Sequence, residues 1–419
     1  MEKKSKRYKR DFQPETLALG YGYDAKLSEG AVKPPVFLTS TFAFASADSG
    51  RKFFDVAYGL AHHPGMPMGL IYSRLNNPNL QIYEERLAAW EGMDKACAFA
   101  SGMAAISTTL LALLRPGDRI VATLPVYGGT HFLFEKILPP MGIETIFVPA
   151  GDEAPARMRA VMKEQAGRVK LLYVETPANP SNMLTDIEAT TALAREFSTA
   201  ESRPLVAVDN TFLGPVFQQP GRLGADIVFY SATKFLGGHS DLIAGIAVGS
   251  SAIMEQVGTY RTILGTMAEP FTAWLLLRSL ETVSIRMHRQ AKSARKIADM
   301  LEEHPRVRRV FYPGLLDSGT NQHSIYKRQC MGPGSLIAFE VDGDEKAAFA
   351  VLDRFEVFKL AVSLGGTESL VEHPMRMTHA DIPPEQLQFH GVNESMIRMS
   401  VGLEHVDDLI ADIRQALEA

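Results

Sequence analysis

The sequence predicts an α/β fold, a mostly parallel seven-stranded sheet followed by a smaller C-terminal α+β part, on three observations. Short β-rich apolar runs alternate with helical stretches from about residue 95 to 250, the pattern of a parallel sheet covered by helices. There are seven such runs, enough for one wide sheet. After Pro270 the texture changes to a long helical stretch and a few separate strand-like runs.

In chain order, the first ten residues, "MEKKSKRYKR", hold six cations. A charge run of this kind cannot build a core, so a solvated tail or an arm lying on a neighbouring subunit is expected. "PPVFLTSTF" and the Gly/Pro/His-rich "YGLAHHPGMPMG" read as extended or loop-like chain that reaches toward a partner. The strand runs are "ACAFA" (96–100), "RIVAT" (119–123), "ETIFV" (144–148), "KLLYV" (170–174), "PLVAV" (204–208), "DIVFY" (226–230) and "AGIAV" (244–248). A helix over about Thr272 to Glu303 leads into "RVFY", "SLIAFEV" and "MIRMSVG", and an amphipathic helix near 404–418 ends the chain. The expected division is an N-terminal arm and interface segment over 1–70, an α/β domain over 71–265 and an α+β domain over 266–419.

Composition narrows the function. At 419 residues and 46% hydrophobic, the chain can bury a sizeable active site. A net charge of -5 gives no reason to expect nucleic acid as a partner. No apolar run approaches the length of a membrane span and no signal-peptide core is present, so neither secretion nor membrane insertion is expected. Cys97 and Cys330 could form at most one bridge and stand in no metal-type spacing, which points to a reducing cytoplasm. The pair His62-His63 lacks partners at metal spacing, and no metal is assigned.

The chemistry gathers at strand ends, where open α/β sheets bind their ligands. Asp209 follows "PLVAV", Ser231 and Lys234 follow "DIVFY", Glu175 and Asn179 follow "KLLYV", and "SGM" follows "ACAFA". A lysine past one buried strand and a carboxylate past another suit a pyridine aldehyde cofactor: the lysine captures the carbonyl and the acid keeps the ring nitrogen protonated. Ser231, Thr233 and the backbone N–H groups after Ser101, at an expected helix start, can cradle a phosphate. Taken singly, each residue has a plainer reading: a turn acid, a helix cap, a solvated lysine. No G-x-G-x-x-G stands between a strand and a helix, which argues against a dinucleotide-binding oxidoreductase.

"DNTF" and "SATKFLGGHSDLIAG" resemble the signature of the Cys/Met-metabolism family of pyridoxal-phosphate enzymes. "YSRLNNPN", "ASGMAAI", "VYGGT", "ETPANP", "AVSLGGTESLVEHP", "MTHA" and "IRMSVGLE" match it in type and order over nearly the whole chain. The resemblance implies an aspartate-aminotransferase-like fold and a homotetramer built from tight dimers with shared active sites. It implies Lys234 as the Schiff-base lysine, Asp209 as partner of the pyridine nitrogen, and Asn179 as partner of the cofactor's phenolic oxygen. Ser231, Thr233, Gly102 and Met103 would bind the phosphate, with Tyr72 and Arg74 from the neighbouring subunit. Tyr127 would stack on the ring and protonate the leaving group, while Arg398, helped by the Ser363 region, would clamp the substrate carboxylate.

Family members diverge at the γ-carbon. Those that handle cystathionine place Glu directly before the serine of "SLGG"; this chain has Val362, as suits an uncharged thioether. "AVSLGGTESLVEHP" accordingly resembles methionine γ-lyases, although those carry Cys where this chain has Gly129. The resemblance implies γ-elimination of methionine or homocysteine to a thiol, ammonia and 2-oxobutanoate. The alternatives are γ-replacement on an activated homoserine, as in O-acylhomoserine sulfhydrylases and cystathionine γ-synthases, and cleavage of cystathionine by a γ-lyase.

Overall fold

The computed structural model describes residues 12–57, 60–63, 69–165, 167–199, 203–380, 387 and 391–418. The basic run at the N-terminus and much of the loop at 58–70 lie outside the described residues. All seven apolar runs are strands: β1 (Lys95–Phe99), β2 (Arg119–Leu124), β3 (Glu144–Pro149), β4 (Val169–Glu175), β5 (Leu205–Asp209), β6 (Ile227–Ser231) and β7 (Gly245–Gly249). They form one sheet in the order β1-β7-β6-β5-β4-β2-β3. Every neighbouring pair from β6 to β3 is parallel, while β7 runs antiparallel to both β1 and β6.

Side chains alternate between the two faces of a strand, and both faces of this sheet are covered. Val121, Leu172, Val206 and Val228 enter the core on one face, and Ile120, Leu171, Ala207 and Ile227 enter the core on the other. Strands buried on both sides read as unbroken apolar runs, which is why they stood out in the sequence. Full burial of each aliphatic side chain stabilises by ~1.5–3 kcal/mol. The register fixes the functional edge: Glu175 ends β4 opposite Asp209, which ends β5, and β6 continues past them to Ser231.

A second sheet carries β8 (Val307–Phe311), β9 (Leu336–Val341), β10 (Lys359–Leu360), β11 (Leu370–Glu372) and β12 (Met396–Ser400) in the order β10-β11-β12-β9-β8. Its core joins Ile337, Phe339, Ile397 and Met399 of the sheet to Ile297 and Leu301 of the helix Val283–Glu302 and Ile413 of the helix Val406–Leu417. On adjacent antiparallel strands, Glu372 faces Arg398.

Two expectations are corrected. The helix expected over Thr272 to Glu303 is two helices, Pro270–Leu280 and Val283–Glu302. At the break, the Ser279 carbonyl accepts from Arg286 Nη2 at 3.0 Å, from the Thr282 N–H at 3.2 Å and from the Thr282 hydroxyl at 3.3 Å, a tight turn in place of the bond from four residues on that a continuous helix would make. The segment before residue 70 is less extended than expected, since Pro14–Gly20 and Ala47–Ala57 are helices. Buried Arg86 holds the first by donating to the carbonyls of Ala18, Leu19 and Tyr21. Ser46 and Ser49 cap the second reciprocally, each backbone N–H donating to the other's hydroxyl. Residues 34–38 between them lie in no helix or strand, and "NNPN" ties them down: Asn79 Oδ1 accepts from Phe37 N at 2.8 Å, and Asn77 Nδ2 donates to the Phe37 carbonyl at 2.9 Å. Among the described residues, no helix is long and apolar enough to cross a membrane.

Candidate active site

A cavity of about 520 Å³ opens beyond the carboxyl ends of β4, β5 and β6. Gly102, Met103, Tyr127, Asn179, Asp209, Ser231, Thr233, Lys234, Ser363 and Arg398, all expected from the sequence, line it together. Tyr72 and Arg74 do not. They lie beside one another, the Arg74 guanidinium 5.6 Å from the Tyr72 ring centroid, with Arg74 Nη1 donating to the Thr262 carbonyl.

One end of the cavity is an anion cradle. Ser101 caps the helix Gly102–Leu113, its hydroxyl accepting from Ala104 N at 3.0 Å, so the earliest N–H groups of the helix are left pointing out. Two glycines let this turn close on the sheet. A Cβ on Gly102 would lie 3.1 Å from the Ser231 Cβ, and one on Gly245 would lie 2.2 Å from the Ser101 carbonyl oxygen. The Thr233 hydroxyl donates to the Ala244 carbonyl at 3.2 Å and accepts from Ala244 N at 3.0 Å. It would have to turn from Ala244 to donate to an anion.

Lys234 sits on the turn after β6, its Nζ donating to the Ser363 hydroxyl at 2.7 Å. Burial, helped by the Arg398 charge and opposed by Glu372, pushes its pKa down to about 8. Ser363 holds a φ of 93°, a left-handed conformation uncommon for a residue with a Cβ. Its carbonyl accepts from Arg398 Nη2 at 2.9 Å, so one residue touches both cations.

Asp209 is buried and its pKa is raised by burial, with hydrogen bonds from Thr211 pulling the other way. Thr211 donates to Asp209 Oδ1 through its N–H at 3.0 Å and its hydroxyl at 2.6 Å. That hydroxyl also accepts from Ser231 N at 2.9 Å, which joins the acid's strand to the cradle's. Arg398 is buried with Glu372 at 2.7 Å, and its Nη1 also donates to Asn179 Oδ1 at 3.1 Å. Tyr127 leans into the mouth with its ring half exposed.

Thr211 and Glu372 had no role in the sequence reading. Thr211 was legible in principle, since it stands two residues after the acid in "DNTF", where a hydroxyl can close a turn on a carboxylate. Glu372 was not: only the register of β11 on β12 selects it, among many acids, as the partner of Arg398.

A lysine with its pKa pushed down to about 8, a buried carboxylate lining the same cavity and a helix start that two glycines let close on the sheet fit a phosphorylated pyridine aldehyde. The sheet order and these strand-end residues define a fold type I pyridoxal-phosphate enzyme, the aspartate-aminotransferase-like architecture. The pattern of the family described as "Cys/Met metabolism PLP-dependent enzyme" matches residues 15–418. The chain belongs to that family and is a pyridoxal-phosphate-dependent trans-sulfuration enzyme. It is 39% identical over 412 residues to an L-methionine gamma-lyase of Pseudomonas deceptionensis, covering 98% of each chain. It is 41% identical to a cystathionine beta-lyase of Coxiella burnetii, covering 93% of each. A crystal structure of cystathionine gamma synthase from Xanthomonas oryzae pv. oryzae in complex with cystathionine superposes with a TM-score of 0.87 at 34% identity, covering 98% of each chain.

Proposed function

We propose that the protein catalyses γ-elimination of a sulfur amino acid with an uncharged side chain, methionine or homocysteine, releasing a thiol, ammonia and 2-oxobutanoate. The observation that carries this reading is the mouth of the cavity. Its exposed lining residues Tyr127, Ile243, Val362 and Met377 carry no formal charge, and the acids of the lining, Glu175 and Asp209, are buried at strand ends. A distal ammonium would meet no counter-charge there, and an unpaired polar group costs ~1–3 kcal/mol.

When bound, the cofactor supplies an electron sink for the pair left at carbon when a proton departs. Arg398 binds the substrate carboxylate, and Glu372, Asn179 and the Ser363 carbonyl fix the guanidinium in place. Lys234 Nζ, lowered toward neutrality and steered by the Ser363 hydroxyl, takes the Cα proton and carries it onward. Asp209 would keep the ring nitrogen protonated. Asn179, its Oδ1 engaged by Arg398, would offer Nδ2 to the phenolic oxygen. Ser231, Thr233 and the N–H groups of Gly102 and Met103 would hold the phosphate. The Tyr127 hydroxyl gives a proton to the departing sulfur.

The test is product identification with methionine, cystathionine and O-acetylhomoserine, each with and without a thiol. A second reading, γ-replacement or cystathionine cleavage, is favoured by the cystathionine enzymes among the relatives, which are as similar as the methionine γ-lyases. Val362→Glu separates the two. Placing a carboxylate at the mouth should shift the ratio of kcat/KM toward cystathionine by about tenfold, equivalent to ~1.4 kcal/mol of differential transition-state binding. A wild type that already prefers cystathionine, or a variant with bound cofactor and unchanged preference, removes Val362 as the determinant.

Tyr72 and Arg74 are proposed to complete the phosphate site of a neighbouring copy, in a homotetramer of dimers with shared sites. Their placement outside this chain's own cavity supports that assignment. Mixing inactive Arg74→Ala with inactive Lys234→Ala should then restore activity, because a mixed dimer contains one intact site. With random mixing at equal amounts, half the dimers are mixed and about a quarter of all sites are whole. No recovery after demonstrated subunit exchange rejects sharing.

A further inference from the structure

Glu175 is a buried carboxylate that the mechanism above leaves unused. It closes β4, lines the cavity and pairs in register with Asp209 on β5. Its two oxygens go to two different loops. Oε2 accepts the backbone N–H of Tyr127 at 2.7 Å, and Oε1 accepts the backbone N–H of Asn179 at 3.3 Å. The Asn179 side chain in turn accepts from Arg398, so one carboxylate connects the Tyr127 loop to the carboxylate clamp. Burial and the Asp209 charge push the Glu175 pKa up to about 8, and the N–H groups of Tyr127 and Asn179 pull against them.

We propose that Glu175 is a positioning residue, whose two oxygens orient the phenol of Tyr127 and the carboxamide of Asn179 toward the bound cofactor by gripping their backbone N–H groups. The inference rests on the reading of Tyr127 as proton donor. A neutral acid keeps one oxygen as a hydroxyl and grips one N–H less well, so the grip of the two oxygens is strongest in the ionised form. The titratable group packed against Glu175 and Asp209 is Tyr173 on β4, whose hydroxyl donates to Asp209 Oδ2 and whose pKa both carboxylates help to raise, while Lys234 and Arg398 line the same cavity. A cationic ring nitrogen at Asp209 favours ionisation of both acids, and binding of the cofactor thereby tightens the grip on the two loops.

Glu175→Gln keeps the shape but offers one acceptor oxygen, and it removes a negative charge beside Asp209. The holoenzyme variant should keep its full cofactor content and lose kcat by about tenfold or more, with KM changed by less than about threefold. The pH midpoint of the bound cofactor's visible absorbance should move down, because a protonated cationic group has lost a neighbouring anion. A midpoint and kcat both at the wild-type value overturn the proposal, since a group that only fills space would move neither. If Tyr127→Phe is itself slow, the Glu175→Gln loss should be smaller in that background, and a fully additive loss there overturns the proposal. If Tyr127→Phe has wild-type kcat while Glu175→Gln stays slow with a shifted midpoint, the reading of Tyr127 falls and Glu175 stands through Asn179. Should Glu175→Gln fail to fold, hydrogen exchange on the wild-type holoenzyme decides. Slow exchange at the amides of Tyr127 and Asn179 supports the grip, and fast exchange at both rejects it.

Discussion

Lys234→Ala is expected to abolish turnover and to leave a colourless or weakly coloured protein. In the wild type, borohydride reduction should fix the yellow cofactor to the peptide that contains Lys234. The expectation follows from the environment of one nitrogen. A lysine with its ordinary pKa is almost wholly protonated near neutrality and can neither attack a carbonyl nor accept a proton. With its pKa pushed down to about 8, the neutral fraction of Lys234 near pH 7 rises by roughly two orders of magnitude. The sign sets the pH dependence: covalent uptake of the cofactor by apoprotein should speed up as pH rises and level off above about 8, the point where Nζ has lost its proton. Reduction that places the cofactor on another lysine, or an uptake rate that is flat with pH, contradicts the assignment.

The second large effect is expected at Asp209. Asp209→Ala should lower kcat/KM by about a hundredfold or more, ~2.7 kcal/mol at 1.36 kcal/mol per decade, because the ring nitrogen loses the anion that keeps it protonated. Thr211 and Tyr173 would lose an acceptor, while the Thr211 hydroxyl would keep its bond from Ser231 N, so a thermal melt beside the kinetics separates the structural from the chemical loss. A cofactor analogue methylated on the ring nitrogen carries a permanent positive charge and separates these causes. It should restore much of the variant's activity, since the charge no longer depends on a nearby acid. A variant as slow with the methylated analogue as with the natural cofactor would show that Asp209 acts by some other route.

The parts of this molecule that were legible in the sequence are those where burial or local turn chemistry dictates residue type. The strands β1, β2 and β4 to β7 announced themselves because two-sided burial leaves no polar alternation, and the strand-end residues followed from where those runs stop. The helix Ala47–Ala57 was missed although Ser46 is a good cap residue, because Gly50 inside it weakens the local signal, while Phe44, Phe53 and Phe54 supply the packing. The break at Glu281-Thr282 was hidden because Arg286 makes it from the following helix, through contacts no periodicity reports. At the site, Glu175 could be placed from its strand but not given a role, since the N–H groups it grips belong to backbone and carry no residue signature.

Gly245 stands between the two neighbours of β7, opposite Phe99 of β1 and Ser231 of β6, where its missing side chain admits the Ser101 carbonyl. For an engineer or for natural drift, the site therefore has two kinds of position. Val362, Ile243 and Met377 at the mouth are open to replacement, since solvent can absorb a change in size. At 245 even one methyl group would drive the helix start off the sheet and spread the cradle. Diversification of substrate is thus free to run along the rim, while the floor admits no step at all.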